Sequence, residues 1–358
     1  MHGSTWQGLG GGWRVTEPLV IAIPSKGRLK EQVDSWLADC GLTLRTAGGV
    51  RGYSATLDGF NDVQVRLASA SDIASDLNTG EIHLGVTGED LLRESGDGVE
   101  TSVMLLAALG FGRADLVVAA PKSWVDVETM ADIDDVAHLY LARTGRRLRV
   151  ATKYLTQTRL FFAKHGIVDY RLAESGGATE GAPAAGTAEL VVDITTTGAT
   201  LAANGLKILS DGLILKSQTH LAAGLSARWQ AGHLETCRRL LTIFDARARG
   251  KTLASLTWPS GQDTEARAAL VGADGPGFLA RVNGALIERS KLFKTANALT
   301  TAGIGPVTVE GPAFVFEAAC PAADRLDTAV NQQARKGQTR SPDPDGYHIS
   351  LRPVSIFR

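Results

Sequence analysis

Cysteine is scarce: three in 358 residues, Cys40, Cys237 and Cys320, with none of the close spacing that metal-ligand motifs show. That excludes a disulfide framework and predicts reduced, buried thiols in a cytoplasmic protein. An excess of charge of either sign is also missing, since Lys and Arg number 37, Asp and Glu 38, and the net charge is -1. Broad attraction to nucleic acid or to an anionic membrane is thereby excluded, and any anion site must be local. No apolar run approaches the length of a membrane span. The opening MHGSTWQGLGGGWRVTEP is glycine-rich without the continuous apolar region of a secretory signal, and residues 1–17 read as a mobile extension. A nucleophile paired with a base is not evident either: His83, His138, His165 and His220 are scattered and read as structural.

A hydrophobic content of 44% with 21% charged residues describes a globular chain, and its length suggests two or three domains. Strand and helix patterns alternate. PLVIAIP (18–24) reads as a buried strand, and LKEQVDSWLADCG sets Leu29, Val33, Trp36, Leu37 and Cys40 on one helical face. Further strands are predicted at VQVRLAS, Ile82–Val86, ADLVVAAP, LRVAT, ELVVD and GLKILSDGLILKSQTHLAA, with helices at DVETMADI, Arg159–His165 and Arg228–Arg249. The expectation is an α/β fold with largely parallel sheets. Beyond the turn-rich TWPSGQD, the pieces AALVG, GFLARVNGALIERS, PVTVEG, AFVFEAAC, AADRLDTAVNQQARKG and YHISLRPVSIF predict βαββαβ, the ferredoxin-like plan, as an α+β domain over 257–358.

Polar residues gather at the exits of apolar strands. In VVDITTTGATLAANGLKIL, Asp193 stands at a predicted strand end, and Thr195, Thr196, Thr197, Gly198, Ala199 and Thr200 form a turn into a helix. Unpaired amides and a helix dipole there favour a phosphate, while the carboxylate suits ribose hydroxyls. Plain N-capping is the alternative that these residues alone leave open. Lys26, Gly27 and Arg28 follow the first strand and can neutralise a polyphosphate or form a solvated helical turn. Glu89 and Asp90 follow another strand, Thr152, Lys153 and Tyr154 a third, and the small-residue loop SGGATEGAPAAG holds one acid, Glu180. Four loaded exits on one framework suggest a shared site.

The pieces SKGRL (25–29), GVTGEDLL (85–92), GRADLVVAAP (112–121), RVATKYLTQTRLFF (149–162) and ATEGAPAAGTAELVVDITTTGATLAANGL (178–206) together resemble the ATP phosphoribosyltransferases, in that family's order. The resemblance implies two periplasmic-binding-protein-like lobes, one of 18–111 with 206–227 and one of 112–205, followed by a connection over 228–256. It implies that ATP attacks phosphoribosyl pyrophosphate through adenine N1 and releases pyrophosphate, the first step of histidine biosynthesis. Asp193 and Thr195–Thr200 match the phosphoribosyl pyrophosphate loop and Glu180 its acidic partner. Lys26, Gly27 and Arg28 match the basic motif facing nucleotide and phosphates, Asp90 the TGxD acid, and Thr152, Lys153 and Tyr154 a hinge-side strand exit. Asp193, Glu180 and Arg28 are thus the expected catalytic groups. Magnesium (Mg2+) is expected to arrive with the substrate rather than in a protein cage. A long-form member would also be a homo-oligomer, dimer or hexamer, inhibited by histidine through its last domain. Two alternatives remain at this point: a type I phosphoribosyltransferase, which the single acid before Ile194 disfavours, and a non-catalytic two-lobed binding protein.

Overall fold

The computed structural model describes residues 17–46, 54–95, 99–274 and 278–338. The predicted extension at 1–17, apart from Glu17, and the predicted strand YHISLRPVSIF lie outside them. The chain first lays down β1 (Leu19–Pro24), α1 (Gly27–Asp39), β2 (Leu44–Thr46), β3 (Ser54–Leu57), β4 (Phe60–Ala68), α2 (Ala70–Thr79), β5 (Leu84–Gly88), α3 (Glu89–Glu94), the short α4 (Val99–Ser102) and β6 (Val103–Ala108). It then crosses to a second body of β7 (Ala114–Pro121), α5 (Met130–Thr144), β8 (Leu148–Thr152), α6 (Leu155–Lys164), β9 (Tyr170–Glu174), β10 (Leu190–Thr195), α7 (Ala199–Ala203) and β11 (Leu206–Ser217). Through Gln218 it returns as β12 (Thr219–Gly224), giving one sheet ordered β2-β3-β4-β1-β5-β12-β6 and another ordered β11-β7-β10-β8-β9.

Alternation of side chains across the pleat explains why each sheet is covered on both faces. Leu19, Ile21 and Ile23 point to the side carrying Val33 and Leu37 of α1, whereas Ala22 meets Ile73 and Leu77 of α2 on the other. In the second sheet Leu116, Val118 and Ala120 pack against Met130, Ile133 and Phe162, while Val117 and Ala119 meet Leu201 of α7. Parallel pairing is confined to β4-β1-β5 and β10-β8-β9. The expectation of largely parallel sheets is therefore corrected: the crossing strands β11 and β12 and the β2-β3-β4 meander pair antiparallel. The expected lobe boundary at residue 206 moves as well, because all 12 residues of β11 pair within or extend the second sheet and the crossing falls at Gln218.

A long helix, α8 (Ala231–Thr252), covers the first sheet and leads into β13 (Leu253–Thr257), α9 (Asp263–Asp274), β14 (Leu279–Arg281), β15 (Gly284–Glu288), α10 (Leu292–Thr301), β16 (Thr308–Glu310) and finally α11 (Pro321–Gln338). The third sheet is ordered β14-β15-β13-β16 and is antiparallel throughout. Its elements are not the predicted ones. AALVG lies in α9, GFLARVNGALIERS contains the β14-β15 hairpin rather than a helix, and PVTVEG contributes its closing strand. AFVFEAAC forms no strand, because Val315 N–H donates to Ala246 O (2.9 Å) on α8 instead of to a sheet neighbour. α11 leaves this sheet and, with Cys320 just before it, packs Ala323 and Leu326 into the core of the first. All three cysteines are buried and free in that one core, burial pushing the thiols of Cys40 and Cys237 up to about 11 and about 12.

Candidate active site

A cavity of about 330 Å³ opens where the first two sheets meet, beside both chain crossings. α1 contributes Arg28, Leu29 and Gln32, the β5-α3 junction Gly88, Asp90 and Leu91, the entry to β7 Gly112, Arg113 and Ala114, and the β10-α7 turn Thr196. Its position agrees with the rule that open α/β sheets bind ligands beyond the carboxyl ends of their strands. Lys26 is the N-cap of α1 and Gly27 takes φ +76, a conformation that costs a glycine little. Both precede Arg28 on the same exposed turn without lining the cavity.

The threonine turn is organised by its own hydroxyls. Gly198 N–H donates to Thr195 Oγ1 (2.9 Å) and Ala199 N–H to Thr197 Oγ1 (3.3 Å). Each oxygen so engaged keeps its own O–H to donate, which suits an acceptor such as a phosphate. Thr196, Thr197, Ala199 and Thr200 are exposed, and Gly198 carries the turn at φ +73. α7, the helix that follows this turn, has only five residues. Hydroxyls and turn amides, not a long macrodipole, are what this turn offers an anion.

Asp193 is not at the strand end, as expected, but inside β10, opposite Val117. Burial raises its carboxyl above the ordinary range, nearby Glu180 adds to the rise, and the Ile194 N–H (2.8 Å to Oδ1) and the Lys153 ammonium oppose it. Glu180 stands in the one-turn helix Thr179–Gly181, which packs on β10, the strand that holds Asp193. Lys153 is exposed, with its Nζ 5.0 Å from the Tyr154 ring centre.

Asp90, Thr152 and Tyr154 stand differently from the free strand-exit groups that the sequence suggests. Asp90 is 7% exposed, and its carboxylate accepts from Ser217 Oγ (2.7 Å) and from the Tyr154 hydroxyl (2.8 Å). Gln157 Nε2 donates to the Asp90 carbonyl (2.9 Å), and Glu94, one turn further along α3, accepts from the amides of Thr156 (2.8 Å) and Gln157 (3.1 Å). α3 of the first body thus holds the first turn of α6 in the second. Thr152 is fully buried, its hydroxyl oxygen accepting from Tyr154 N–H (2.9 Å). Burial, then the adjacent Asp90 carboxylate, drives the Tyr154 phenol far above its ordinary value, so it stays a donor.

Three residues escape the sequence reading. Gln32 and Arg113 line the cavity and Glu94 joins the two bodies. Arg113 had a signal, since it follows the glycines of GFGR directly before an apolar strand. Glu94 had none, for a capping acid 62 residues from its amide leaves no local pattern.

A sequence profile described as "HisG: ATP phosphoribosyltransferase" matches residues 69–244. An ATP phosphoribosyltransferase of Caulobacter vibrioides is 61% identical over 319 residues, covering 89% of this chain and 100% of that protein. One from Nitrobacter hamburgensis is 57% identical over 235 residues, 66% of this chain and 72% of the relative. Among solved structures, an ATP phosphoribosyl transferase (HisG:HisZ) complex from Thermotoga maritima aligns at TM-score 0.47 and 27% identity, over 63% of this chain and 93% of that one.

Proposed function

On the premise that the chain belongs to the ATP phosphoribosyltransferase family, we propose a division of labour among its residues for that family's reaction. The enzyme is a pentosyltransferase that condenses ATP with phosphoribosyl pyrophosphate in the first step of histidine biosynthesis. Adenine N1 donates its electron pair to the anomeric carbon while the carbon–oxygen bond breaks and its pair leaves with pyrophosphate. In our reading, Thr195–Thr200 grip the 5-phosphate through hydroxyls and turn amides. Asp193 and Glu180 face the ribose, where negative charge stabilises the oxocarbenium-like transition state. Lys26 and Arg28 face the phosphates, and Lys153 completes the cationic side. Asp90, Thr152 and Tyr154 position rather than touch: their side chains hold α6 and the Lys153 loop against α3.

The observation that carries this reading is the cavity that brings Arg28 of one sheet and Thr196 of the other to a single wall-to-wall space. Its test is calorimetric titration of phosphoribosyl pyrophosphate into Thr195→Val, which keeps shape and removes the hydroxyl. Binding should weaken by roughly tenfold, the loss of one or two hydrogen bonds to a charged group. Unchanged affinity would falsify the turn's role.

A divalent metal belongs to this chemistry, and we assign it, as magnesium, to the substrate's diphosphate. The cavity's arginines, Arg28 and Arg113, suit a phosphate that already carries the ion. Bound there, the ion offsets charge on the departing pyrophosphate. No helix of the described residues is long and apolar enough to cross a membrane.

We further propose that the third sheet is a ferredoxin-like regulatory domain built on β13-α9-β14-β15-α10-β16, a frame displaced towards the N-terminus from the predicted one. Its strand order supports the plan. Histidine is the inhibitor we assign to it and a homo-oligomer the state in which it acts. Calorimetry of the intact protein with histidine tests the assignment, and a flat titration removes it.

A further inference from the structure

We propose that Arg113 is a phosphate-binding residue of this enzyme, closing with Arg28 as a pair of guanidinium forks on a substrate polyphosphate; the inference rests on the site reading above. The two arginines reach one cavity from different places, Arg28 from the first turn of α1 in the first body and Arg113 from the chain crossing that enters β7. Neither is paired with an acid among the described residues, whereas all four arginines of α8, Arg238, Arg239, Arg247 and Arg249, meet a carboxylate. The cavity's only carboxylate, Asp90, has both oxygens engaged by Ser217 and Tyr154. Neither oxygen is turned to an arginine, so two guanidinium charges stand against a single carboxylate held by its own donors, and an anion is the ligand that balances the excess.

The backbone beneath Arg113 is fixed rather than pliant. Gly112 takes φ +63, and a Cβ there would fall 2.2 Å from Thr219 Oγ1, so only glycine fits. On one side Thr219 N–H donates to Phe111 O (3.1 Å), and on the other Ala114 pairs with Ser217. Held between these pairings, Arg113 sits at the crossing itself, where rotation of one body against the other displaces it least. A planar fork on such an anchor meets phosphate oxygens in pairs, which an ammonium cannot do.

Two sources share this chemistry, the triphosphate of ATP and the diphosphate of phosphoribosyl pyrophosphate. Dissociation constants for ATP, phosphoribosyl pyrophosphate and free pyrophosphate, each with magnesium, measured separately by calorimetry on Arg113→Gln, Arg113→Lys and Arg28→Gln of the full chain, distinguish them. Arg113→Gln should weaken at least one substrate by roughly ten- to a hundredfold. Loss for ATP alone assigns the triphosphate; loss for phosphoribosyl pyrophosphate and pyrophosphate together assigns the diphosphate. Arg113→Lys should recover only part of the affinity, because charge returns without the fork. Arg113 is exposed, so both variants should fold, and a melting temperature near that of the parent checks it. If Arg113→Gln binds all three within twofold of the parent while Arg28→Gln does not, the role of Arg113 is overturned and the site reading stands. If Arg28→Gln and Thr195→Val are silent too, the site reading falls with it.

Discussion

At Asp193 stability and chemistry pull in opposite directions. Burial, with Glu180 beside it, lifts the carboxyl's folded value above its ordinary 3.8, so the folded state holds the proton more tightly than the unfolded chain. The sign follows: its contribution to stability is complete below the ordinary value and is lost as pH rises through the folded one. Asp193→Asn removes that cost, so the variant should unfold no more easily than the parent at pH 7, with its relative advantage vanishing in acid. Turnover should fall on the order of a hundredfold, the scale of losing one electrostatic group at a transition state. Urea melts at two pH values beside steady-state kinetics check both halves, and a destabilised variant with normal turnover would contradict each. This residue was legible in the sequence because one acid before a run of threonines is a local pattern. Its burial inside β10 was not, since that depends on the antiparallel partner β7, more than seventy residues earlier in the chain.

Between elements, the contact of α3 with α6 is the feature with most consequence. Asp90 and Glu94, one helical turn apart, take the Tyr154 hydroxyl and two α6 amides from the other body. Tyr154→Phe would leave a buried carboxylate oxygen without its donor, a loss of about 1 to 3 kcal/mol. A lowered urea midpoint and faster amide exchange in the first turn of α6 are expected, and unchanged exchange there would show that the contact does not hold the two bodies. The same scale shows where sequence patterns suffice. LVIAIP, LRVAT and LVVD are apolar runs that only a doubly covered sheet accommodates, and they appear as β1, β8 and most of β10. GFLARVNGALIERS misleads because Leu, Ala and Arg favour helix, yet Asn283-Gly284 is a hairpin signal, and Asn283 takes φ 50 to turn β14 into β15. AFVFEAAC alternates like a strand and forms none, for its backbone partner lies on α8. The elements of this region could not be assigned from the sequence, because each apolar piece fits either of two neighbouring roles until pairing decides.

Across the whole molecule, α8 ties the start of the chain, the first sheet and α11 together, and it does so partly through histidines. His83 Nδ1 accepts from Val20 N–H (3.1 Å) and its Nε2 donates to Arg228 O (3.2 Å). His233 Nδ1 accepts from Gln230 N–H (3.3 Å) and its Nε2 donates to Glu17 O (2.6 Å), with the two rings 4.3 Å apart. The partners of His83 require a neutral ring. A proton on His83 Nδ1 would face the Val20 N–H donor and add a charge beside the His233 ring. Burial first, and His233 in addition, hold His83 below its ordinary 6.5, against the pull of the Arg228 carbonyl and Glu17. A histidine so depressed contributes stability that is fully present above pH 6.5 and is lost as pH falls towards its folded value. Unfolding free energy should therefore hold steady down to about pH 6.5 and decline as pH falls below it. In His83→Gln, which keeps an acceptor and a donor without a titrating ring, that decline should flatten even though the midpoint at pH 7.5 falls. A variant with the parent's slope would mean that acid acts elsewhere on the fold, and that the joint between α8 and the first sheet is indifferent to protons.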